Sequence, residues 1–288
     1  MIITKIIGGL GNQIFQYAIA RHMSLLHKDE FSLDISAFKE YKLQDYMLNR
    51  FNIIENIIDP ANIKFHSKWP LIKDLLKMKP NEFYHYKEKY KFQYDERVLS
   101  QEGNVYLDGS WQSERYFVKI RDTILKDLTV KTPPSSRNLE LLQEIQKKNS
   151  VAIHIRRQDY VNNPKTLEFH GSCSIEYYKK CIAMMCERVP DPTFFIFSDD
   201  PAWAEQNIKT GHSSVYINNN GKENGQEDLR LLSNCSHFII ANSSFSWWGA
   251  WLSTNRDKIV LVPKPWIRSK ELTVKDMIPS SWVEVPSD

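Results

Sequence analysis

Two adjacent arginines follow a short apolar run in the stretch VAIHIRRQDYV, residues 151–161. The run predicts a buried strand, and Arg156 and Arg157 stand where that strand should end. An arginine side chain is always charged and presents a planar fork of N–H donors that matches oxyanions. The stretch therefore indicates a binding site for an anionic group, with His154 and Asp159 beside the two arginines.

Polar residues also follow two later apolar runs. Ser198, Asp199 and Asp200 come directly after FFIF, and a serine-rich turn follows residues 238–240. The carboxyl ends of parallel strands meet at one rim of a sheet, where α/β proteins bind their ligands. The residues that we expect at this rim are His154, Arg156, Arg157, Asp199, Asp200, Asn242, Ser243, Ser244, Phe245 and Ser246. Strand ends need polar caps in any fold, so it is the concurrence of the three groups that favours a ligand site.

A pyrophosphate is the anion that fits this set of residues. Two arginines engage phosphate oxygens bidentately, and a serine-rich turn offers backbone N–H groups at a positive helix end. Asp200 and Asp228 would then accept hydrogen bonds from a base or a ribose. The sequence has no D-x-D pair and no His/Cys cluster with metal-ligand spacing. We therefore expect neither a metal ion nor another cofactor, with arginine supplying the positive charge.

The N-terminal stretch GGLGNQ, residues 8–13, lies between a predicted strand and a predicted helix. It lacks the G-x-x-x-x-G-K-[ST] pattern of a P-loop, and Ile14 stands where a dinucleotide fingerprint has its third glycine. We interpret it as a tight turn that brings Asn12 and Gln13 to the end of the first strand. The alternative is a turn whose asparagine only caps the helix.

Strands and helices alternate along most of the chain, which predicts an α/β protein with parallel sheets covered on both faces. The stretch TVKTPPSSRN has the composition of a linker and places a domain boundary between residues 1–132 and residues 133–288. A helix is predicted over residues 114–128. Residues 40–100 are harder to interpret, and their lysines and aromatic side chains fit either a solvated surface or attraction to an anionic surface.

The composition is that of a globular protein. Of the 288 residues, 42% are hydrophobic and 25% are charged, and the formal net charge of +3 is too small to indicate a nucleic-acid partner. No apolar run reaches the roughly 18 residues of a membrane-spanning helix. We expect a cytoplasmic protein, with peripheral attachment to the inner face of the membrane left open.

Four segments together resemble the family-11 inverting glycosyltransferases, the α-1,2-fucosyltransferases, in their bacterial form. GGLGNQIFQYAIA is similar to the opening motif of that family, LDGSWQSERYF to its middle motif, HIRRQDYV to its donor motif and NSSFSWWGAWL to its final motif. The four motifs occur in order between about residues 2 and 263. The motif H-x-R-R alone is less specific, because other fucosyltransferases share it.

The resemblance implies a GT-B-like α/β architecture, in which two Rossmann-like domains face each other across a cleft. Residues 1–132 would form the acceptor-side domain and residues 133–288 the GDP-fucose-binding domain, with the tail from about residue 264 packing back on the first. The implied reaction is metal-independent transfer of L-fucose from GDP-β-L-fucose, with inversion, to the 2-hydroxyl of a terminal β-galactoside. The expected partners are this donor and a glycan acceptor, free or lipid-linked, in the assembly of a surface polysaccharide such as O-antigen.

The resemblance also implies roles for single residues. Arg156 would contact the β-phosphate of GDP, His154 would orient the guanine side, and Asp228 is a candidate for binding guanine. Residues 243–246 would bind the diphosphate or the ribose, and Asn12 would lie near the reacting sugar.

The base that takes the proton of the acceptor hydroxyl has two candidates, since a carboxylate is expected for this step. Asp159 fits by its place next to the arginines, and it fits equally a role in orienting them. Glu168 is the alternative, because core-type fucosyltransferases have a glutamate beyond this motif, although at a different spacing. The implied catalytic residues are Arg156, Asp159 and Asn12.

Two further features have two interpretations each. Gln112 either touches an acceptor or stabilises its turn. Trp247, Trp248 and Trp251 have helical spacing, which favours a core position over a sugar-stacking one.

Two alternatives to α-1,2-fucosyl transfer stay open on the sequence. One is a GDP-sugar transferase with another acceptor linkage. The other is a catalytically silent protein that binds a nucleotide sugar or a glycan and retains the arginines without turnover.

Overall fold

The structure is a computed structural model, and it describes residues 1–41, 43–66, 79–157 and 163–287. The chain divides into two compact units. Unit 1 is Met1–Thr129 together with Leu272–Ile278, and unit 2 is Val130–Glu271 together with Pro279–Asp288. The division therefore falls within the stretch TVKTPPSSRN, directly after Thr129, and one short segment of the C-terminal tail belongs to unit 1.

The described part of unit 1 contains a parallel sheet and two helices. The strands are β1 (Ile2–Lys5), β2 (Phe31–Asp34), β3 (Lys64–His66), β4 (Glu82–Lys87) and β5 (Val105–Asp108), and the helices are α1 (Leu10–His27) and α2 (Arg121–Asp127). The strands lie in the order β2-β1-β5-β4-β3, and every pairing is parallel. The carboxyl ends of β1 and β5 are therefore neighbours.

Helix α1 is largely buried, and its middle is tied to α2. The Tyr17 hydroxyl donates to the Asp127 carboxylate at 2.7 Å, and Arg21 Nε donates to the same oxygen at 2.9 Å. Burial and this hydrogen bond raise the pKa of Tyr17 above its ordinary range, so the hydroxyl keeps its proton. These contacts fix the helix whose first turn contains Asn12.

The described part of unit 2 contains a second parallel sheet. Its strands are β6 (Asn149–Ile155), β7 (Pro192–Ser198), β8 (Ser214–Ile217), β9 (His237–Ile239), β10 (Val260–Lys264) and β11 (Val283–Pro286). Its helices are α3 (Ser136–Lys147), α4 (Pro164–His170), α5 (Ile175–Arg188), α6 (Pro201–Asn207), α7 (Gly225–Asn234) and α8 (Ser244–Leu252). The strand order is β11-β10-β9-β6-β7-β8, again with parallel pairings throughout.

The central strands of unit 2 are buried on both faces, as their continuous apolar runs predict. Val151, Ile153 and Phe194 are completely buried in one core cluster that also takes in Tyr177 and Met185 of α5. Polar side chains of this sheet therefore gather where the strands end.

Two expectations about local structure were wrong or incomplete. The single helix predicted over residues 114–128 is two short 3₁₀ turns followed by α2, because Phe117 takes φ −148° and ψ 0°, which lies outside the helical region. Residues 40–100 contribute the strands β3 and β4, which the sequence did not indicate. All three residues of β3 are exposed, so this edge strand lacks the apolar alternation of a buried one.

Candidate functional site

The register of two neighbouring strands brings the predicted arginines and aspartates of unit 2 together. β6 and β7 pair in parallel, with Ile155 opposite Ser198 at their carboxyl ends. The next residues of each strand, Arg156 and Asp199, therefore leave the sheet side by side. Arg156 Nη1 lies 3.3 Å from Asp199 Oδ2.

Asp199 holds the start of the loop after β6 with both of its oxygens. Oδ2 faces the Arg156 guanidinium, and Oδ1 accepts a hydrogen bond from the backbone N–H of Arg157 at 2.8 Å. Asp199 is 13% exposed at its side chain and Arg156 is 28% exposed. The carboxylate thus orients an arginine that still reaches solvent.

Arg157 has different neighbours from Arg156. Its guanidinium carbon lies 4.4 Å from the ring centroid of Trp203, and its Nε lies 3.7 Å from Asp200 Oδ2. Asp200 caps α6 by accepting from the Trp203 N–H at 3.3 Å. The guanidinium groups of the two arginines are thus held differently. Asp199 faces that of Arg156, and that of Arg157 lies against the first turn of α6.

His154 lies beneath this rim with its side chain almost fully buried. Its ring packs against Phe245 with centroids 5.3 Å apart, and its Nδ1 has no hydrogen-bond partner among the described residues. Burial lowers the pKa of His154 to about 3, and the positive charge of Arg156 acts in the same direction. The imidazole is therefore neutral at physiological pH, with a buried ring nitrogen still available for a hydrogen bond.

The serine-rich turn starts helix α8 beside that imidazole. Ser246 Oγ donates to the carbonyl oxygens of Ala241 and Ser243 at 3.1 Å each, so this hydroxyl stabilises the turn. Ser243 is the N-cap residue without a side-chain cap. The first N–H groups of a helix lack partners within the helix and attract anions. Phe245, which touches His154, places this positive helix end at the same rim as the arginines.

Asn242 has a structural contact of its own. Its Nδ2 donates to the carbonyl oxygens of His170 at 2.9 Å and Gly171 at 3.3 Å, and Cys173 Sγ lies 3.8 Å from its Oδ1. The predicted site residue thus ties the end of α4 to the turn before α8.

The three tryptophans of α8 belong to the core, as their spacing predicts. Trp247 and Trp248 are fully buried and Trp251 is 2% exposed. An added Cβ at Gly249 would come 2.0 Å from Leu232 Cδ2, so the glycine lets α8 lie directly against α7. The direction of the α8 helix start is set by this packing.

Asp228 lies on α7, within an asparagine network that the sequence did not reveal. Asn220 Nδ2 donates to Asp228 Oδ1 at 2.7 Å, and the buried Asn138 donates to Asn220 Oδ1 at 2.9 Å. Burial raises the pKa of Asp228 to about 6, the Asn220 hydrogen bond acts against it, and the charge of Glu227 adds to it. Asp228 therefore loses its negative charge at a mildly acidic pH.

In unit 1, the glycine turn places Asn12 in the first turn of α1. Gly8 takes φ +90°, where a side chain is strained, and an added Cβ there would meet Asn12 Nδ2 at 2.9 Å. Gln112, after β5, donates from Nε2 to Asn12 Oδ1 at 2.7 Å. Gln13 instead anchors a neighbouring loop, donating to the Gly8 and Asp45 carbonyl oxygens.

Asp159 and Glu168 are the two candidates for the base. Asp159 lies outside the described residues. Glu168 is exposed on the short helix α4. Both roles considered for Asp159 stay predictions, and Asp199 is a described carboxylate that faces Arg156.

Within the described ranges, no group of three or more His, Cys, Asp or Glu side chains could hold a metal ion. No described helix combines the length and the apolar character that crossing a bilayer requires. At the rim of the unit 2 sheet, the charged groups that lie together are the arginines and aspartates after β6 and β7.

Comparisons with known proteins show the family of the chain. The chain matches the model of Glycosyl transferase family 11 over residues 1–285. An alpha-1,2-colitosyltransferase of Escherichia coli is 34% identical over 303 aligned positions, which cover 99% of each chain. The O-antigen biosynthesis glycosyltransferase WbnK of Escherichia coli is 30% identical, covering 96% of this chain and 98% of the relative.

A solved structure supports the fold. The alpha-1,6-fucosyltransferase NodZ, soaked with GDP-fucose, superposes with a TM-score of 0.53 at 15% identity, covering 87% of this chain and 91% of NodZ. The expected GT-B-like class with two Rossmann-like α/β parts is thereby confirmed. The family model, matched over almost the whole sequence, identifies the chain as a member of glycosyltransferase family 11.

Proposed function

We propose that the protein transfers L-fucose from GDP-β-L-fucose, with inversion, to the 2-hydroxyl of a terminal β-galactoside of a glycan. The observation that carries this proposal is Arg156, fixed by Asp199 at the end of β6 beside a neutral His154 and the start of α8. An oriented guanidinium and a helix N-terminus together suit a diphosphate. The alpha-1,2 linkage in the name of the 34% identical relative supports the choice of hydroxyl.

The donor is proposed to bind to unit 2. Arg156 takes the β-phosphate, and the first N–H groups of α8 take the remaining phosphate oxygens or the ribose. His154 offers its buried Nδ1 towards the nucleotide. Asp228, as a carboxylate above pH 6, accepts hydrogen bonds from guanine.

The chemical step follows from the charge that develops. Cleavage of the bond between fucose C1 and the β-phosphate oxygen leaves negative charge on GDP and oxocarbenium character on the sugar. Because Arg156 is already oriented, it stabilises the leaving group most when the charge is greatest. The loss of one such donor typically costs about 3–4 kcal/mol of barrier. We propose that arginine and the helix start supply this stabilisation without a metal ion.

The acceptor hydroxyl attacks C1 from the face opposite GDP and transfers its proton to a base. We propose Asp159, which follows the two arginines closely in the sequence, as this base and keep Glu168 as the alternative. The acceptor is proposed to bind to unit 1, near the Asn12–Gln112 pair, where neutral amides suit the hydroxyl groups of a glycan.

A second donor sugar is favoured by one specific observation. The relative that shares 34% identity over the full length is named a colitosyltransferase. Colitose is L-fucose without its 3-hydroxyl group, so one missing hydrogen-bond partner in the sugar pocket separates the two donors.

A direct competition decides between these donors. The protein is incubated with GDP-fucose, GDP-colitose and lactose in the presence of a chelator, and the trisaccharides are separated and their linkage determined by NMR. We expect fucose on the 2-hydroxyl of galactose, with release of one GDP per transfer. Predominant colitosyl transfer would show that the donor sugar is colitose and not fucose. Another linkage would show that the acceptor group is not the 2-hydroxyl.

The same assay tests the remaining alternatives. Binding of GDP-fucose without transfer to any β-galactoside of a panel, free or lipid-linked, would identify a silent binding protein. A strict requirement for manganese would contradict the metal-free step.

A further inference from the structure

The turn after β5 in unit 1 is held by a carboxylate from the neighbouring strand. Glu88, the residue after β4, accepts the Ser110 N–H on Oε2 at 2.7 Å and the Trp111 N–H on Oε1 at 3.1 Å. The register of the sheet explains the contact, because Lys87 pairs with Asp108 and Glu88 therefore lies beside the turn. Both oxygens of one side chain are bound by the backbone of one turn.

The contact is close enough to require glycine. An added Cβ at Gly109 would come 2.4 Å from the Glu88 Cβ, a distance that real Cβ atoms do not show. Gln16 Nε2 holds the same residue from α1 by donating to the Gly109 carbonyl oxygen at 3.2 Å. The turn is thus clamped from a strand on one side and a helix on the other.

The carboxylate holds a backbone conformation that tryptophan rarely adopts. Trp111 has φ +55°, in the left-handed region, although it is a bulky residue. Its ring is completely buried and packs edge-on against Tyr116, with centroids 5.8 Å apart. Such a conformation persists only where its surroundings determine it, and it is frequent at functional sites.

This conformation decides where the next side chain lies. Gln112 follows Trp111 directly and donates to Asn12 Oδ1 at 2.7 Å. Asn12 accepts this hydrogen bond on Oδ1, and its Nδ2 donates to no described residue, so the N–H₂ group of Asn12 is left for a ligand. Glu88, the turn, Gln112 and Asn12 form one chain of contacts within unit 1.

A role as the base does not fit Glu88. Its two oxygens are occupied by backbone N–H groups, so neither is directed at an acceptor hydroxyl. Burial raises the pKa of Glu88, while the two N–H groups and the charge of Lys91 lower it. The geometry fits a carboxylate that shapes the turn.

We propose that Glu88 is a positioning residue for the glycan acceptor: it holds the 109–112 turn so that Gln112 fixes the Asn12 amide. The proposal rests on the proposed function only in assigning the acceptor to unit 1. The donor-binding residues of unit 2 make no part of this chain of contacts.

The test compares E88Q and E88A with the wild-type protein and with the control E82Q. Glutamine keeps the size of Glu88 but has one acceptor oxygen and sets an N–H₂ group against the second N–H. Glu82 is a matched control, because it begins the strand that Glu88 follows and also accepts a backbone N–H, from Lys79 at 3.2 Å. Hydrogen–deuterium exchange of the ligand-free proteins measures how fast the backbone amides of the turn exchange. Steady-state kinetics give separate KM values for lactose and for GDP-fucose.

In E88Q we expect the amides of residues 110–112 to exchange on the order of tenfold faster, because a hydrogen bond to a charged group is lost. The KM for lactose should rise about tenfold in E88Q and more in E88A, while the KM for GDP-fucose stays within about twofold. E82Q should behave as wild type in both measurements.

Unchanged exchange at residues 110–112 in both Glu88 variants would overturn the proposal. So would an equal rise in both KM values, which indicates general damage to the protein. If the wild-type protein transfers no sugar to a galactoside, the proposed function fails, and the exchange measurement still decides whether Glu88 holds the turn.

Discussion

The two units place different chemistry at the same position of the same kind of sheet. Where β6 and β7 end in unit 2, permanent charges meet, with Arg156 3.3 Å from Asp199. In unit 1 the last residues of β1 and β5, Lys5 and Asp108, form an ion pair at 3.5 Å. The turns that follow these two strands bring neutral amides together, with Gln112 2.7 Å from Asn12. Fixed charge suits a diphosphate, and neutral amides suit hydroxyl groups. The edge of a parallel sheet decides where a site forms, and the side chains decide which class of ligand it takes.

The largest effect should come from removing the charge of unit 2. For Arg156→Ala we expect turnover to fall by about 100- to 1000-fold with the fold retained, since an oriented donor to the leaving group is lost. GDP release from GDP-fucose measures it. Arg137→Ala is the control, because among the described residues that exposed arginine pairs only with Glu140, on the surface of α3. A near-normal rate for Arg156→Ala would remove the arginine from the donor site.

A smaller effect should follow when Arg156 keeps its charge but loses its orientation. Asp199→Asn preserves the size of the side chain and removes the carboxylate that faces the guanidinium. We expect kcat/KM for the donor to fall about 10- to 100-fold, the usual consequence of losing a charged hydrogen-bond partner. If Asp199→Asn equals wild type while Arg156→Ala is inactive, Asp199 does not orient the arginine.

Substitution in unit 1 should change the other substrate. Gln112→Leu removes the hydrogen bond to Asn12 and leaves the Asn12 oxygen without that partner. The KM for lactose should rise about 5- to 10-fold and the KM for GDP-fucose should stay constant, because a neutral hydrogen bond is worth about 1 kcal/mol. A rise in the donor KM alone would contradict the assignment of acceptor binding to unit 1.

The smallest expected effect is a change of the donor KM with pH, which we assign to a residue of unit 2. Burial raises the pKa of Asp228 to about 6, so below that pH the side chain is protonated and no longer accepts guanine N–H groups as a carboxylate. Over pH 5–8 the donor KM should therefore rise as the pH falls through about 6, by at most about tenfold per pH unit for a single proton. His154, with its pKa of about 3, stays neutral over this range.

Asp228→Asn is the control for this measurement. Asparagine does not titrate, so its donor KM should be nearly independent of pH. An identical pH step in the variant would assign the titration to another group.

Much of the arginine and aspartate cluster in unit 2 could be predicted from the sequence because it depends on backbone order. Two apolar runs that end in polar residues predict two buried parallel strands, and their register alone brings Arg156 next to Asp199. The sequence did not reveal which arginine each carboxylate binds, because side-chain orientation decides that. Asp199 binds Arg156, while Asp200 both caps α6 and faces Arg157.

The contacts around Asn12 and Gln112 in unit 1 were harder to predict because they come from irregular segments. Glu88 follows β4, one of two strands within residues 40–100 that the sequence did not indicate. The other, β3, is an exposed edge strand without apolar alternation. The left-handed backbone conformation of Trp111 could not be predicted from the sequence, because tryptophan rarely adopts that conformation. Contacts between such segments depend on tertiary packing, which single-chain periodicity does not encode.

The missing β-carbon of Gly249 has a consequence for engineering the donor preference. Leu232 occupies the space that any larger residue at position 249 would need, so such a residue requires a compensating change at Leu232 or a shift of α8. Variants that aim to move the start of α8, and with it Phe245, should therefore randomise positions 232 and 249 as one coupled pair. A library that varies only the residues at the rim of the sheet would leave the packing of α8 against α7 unchanged.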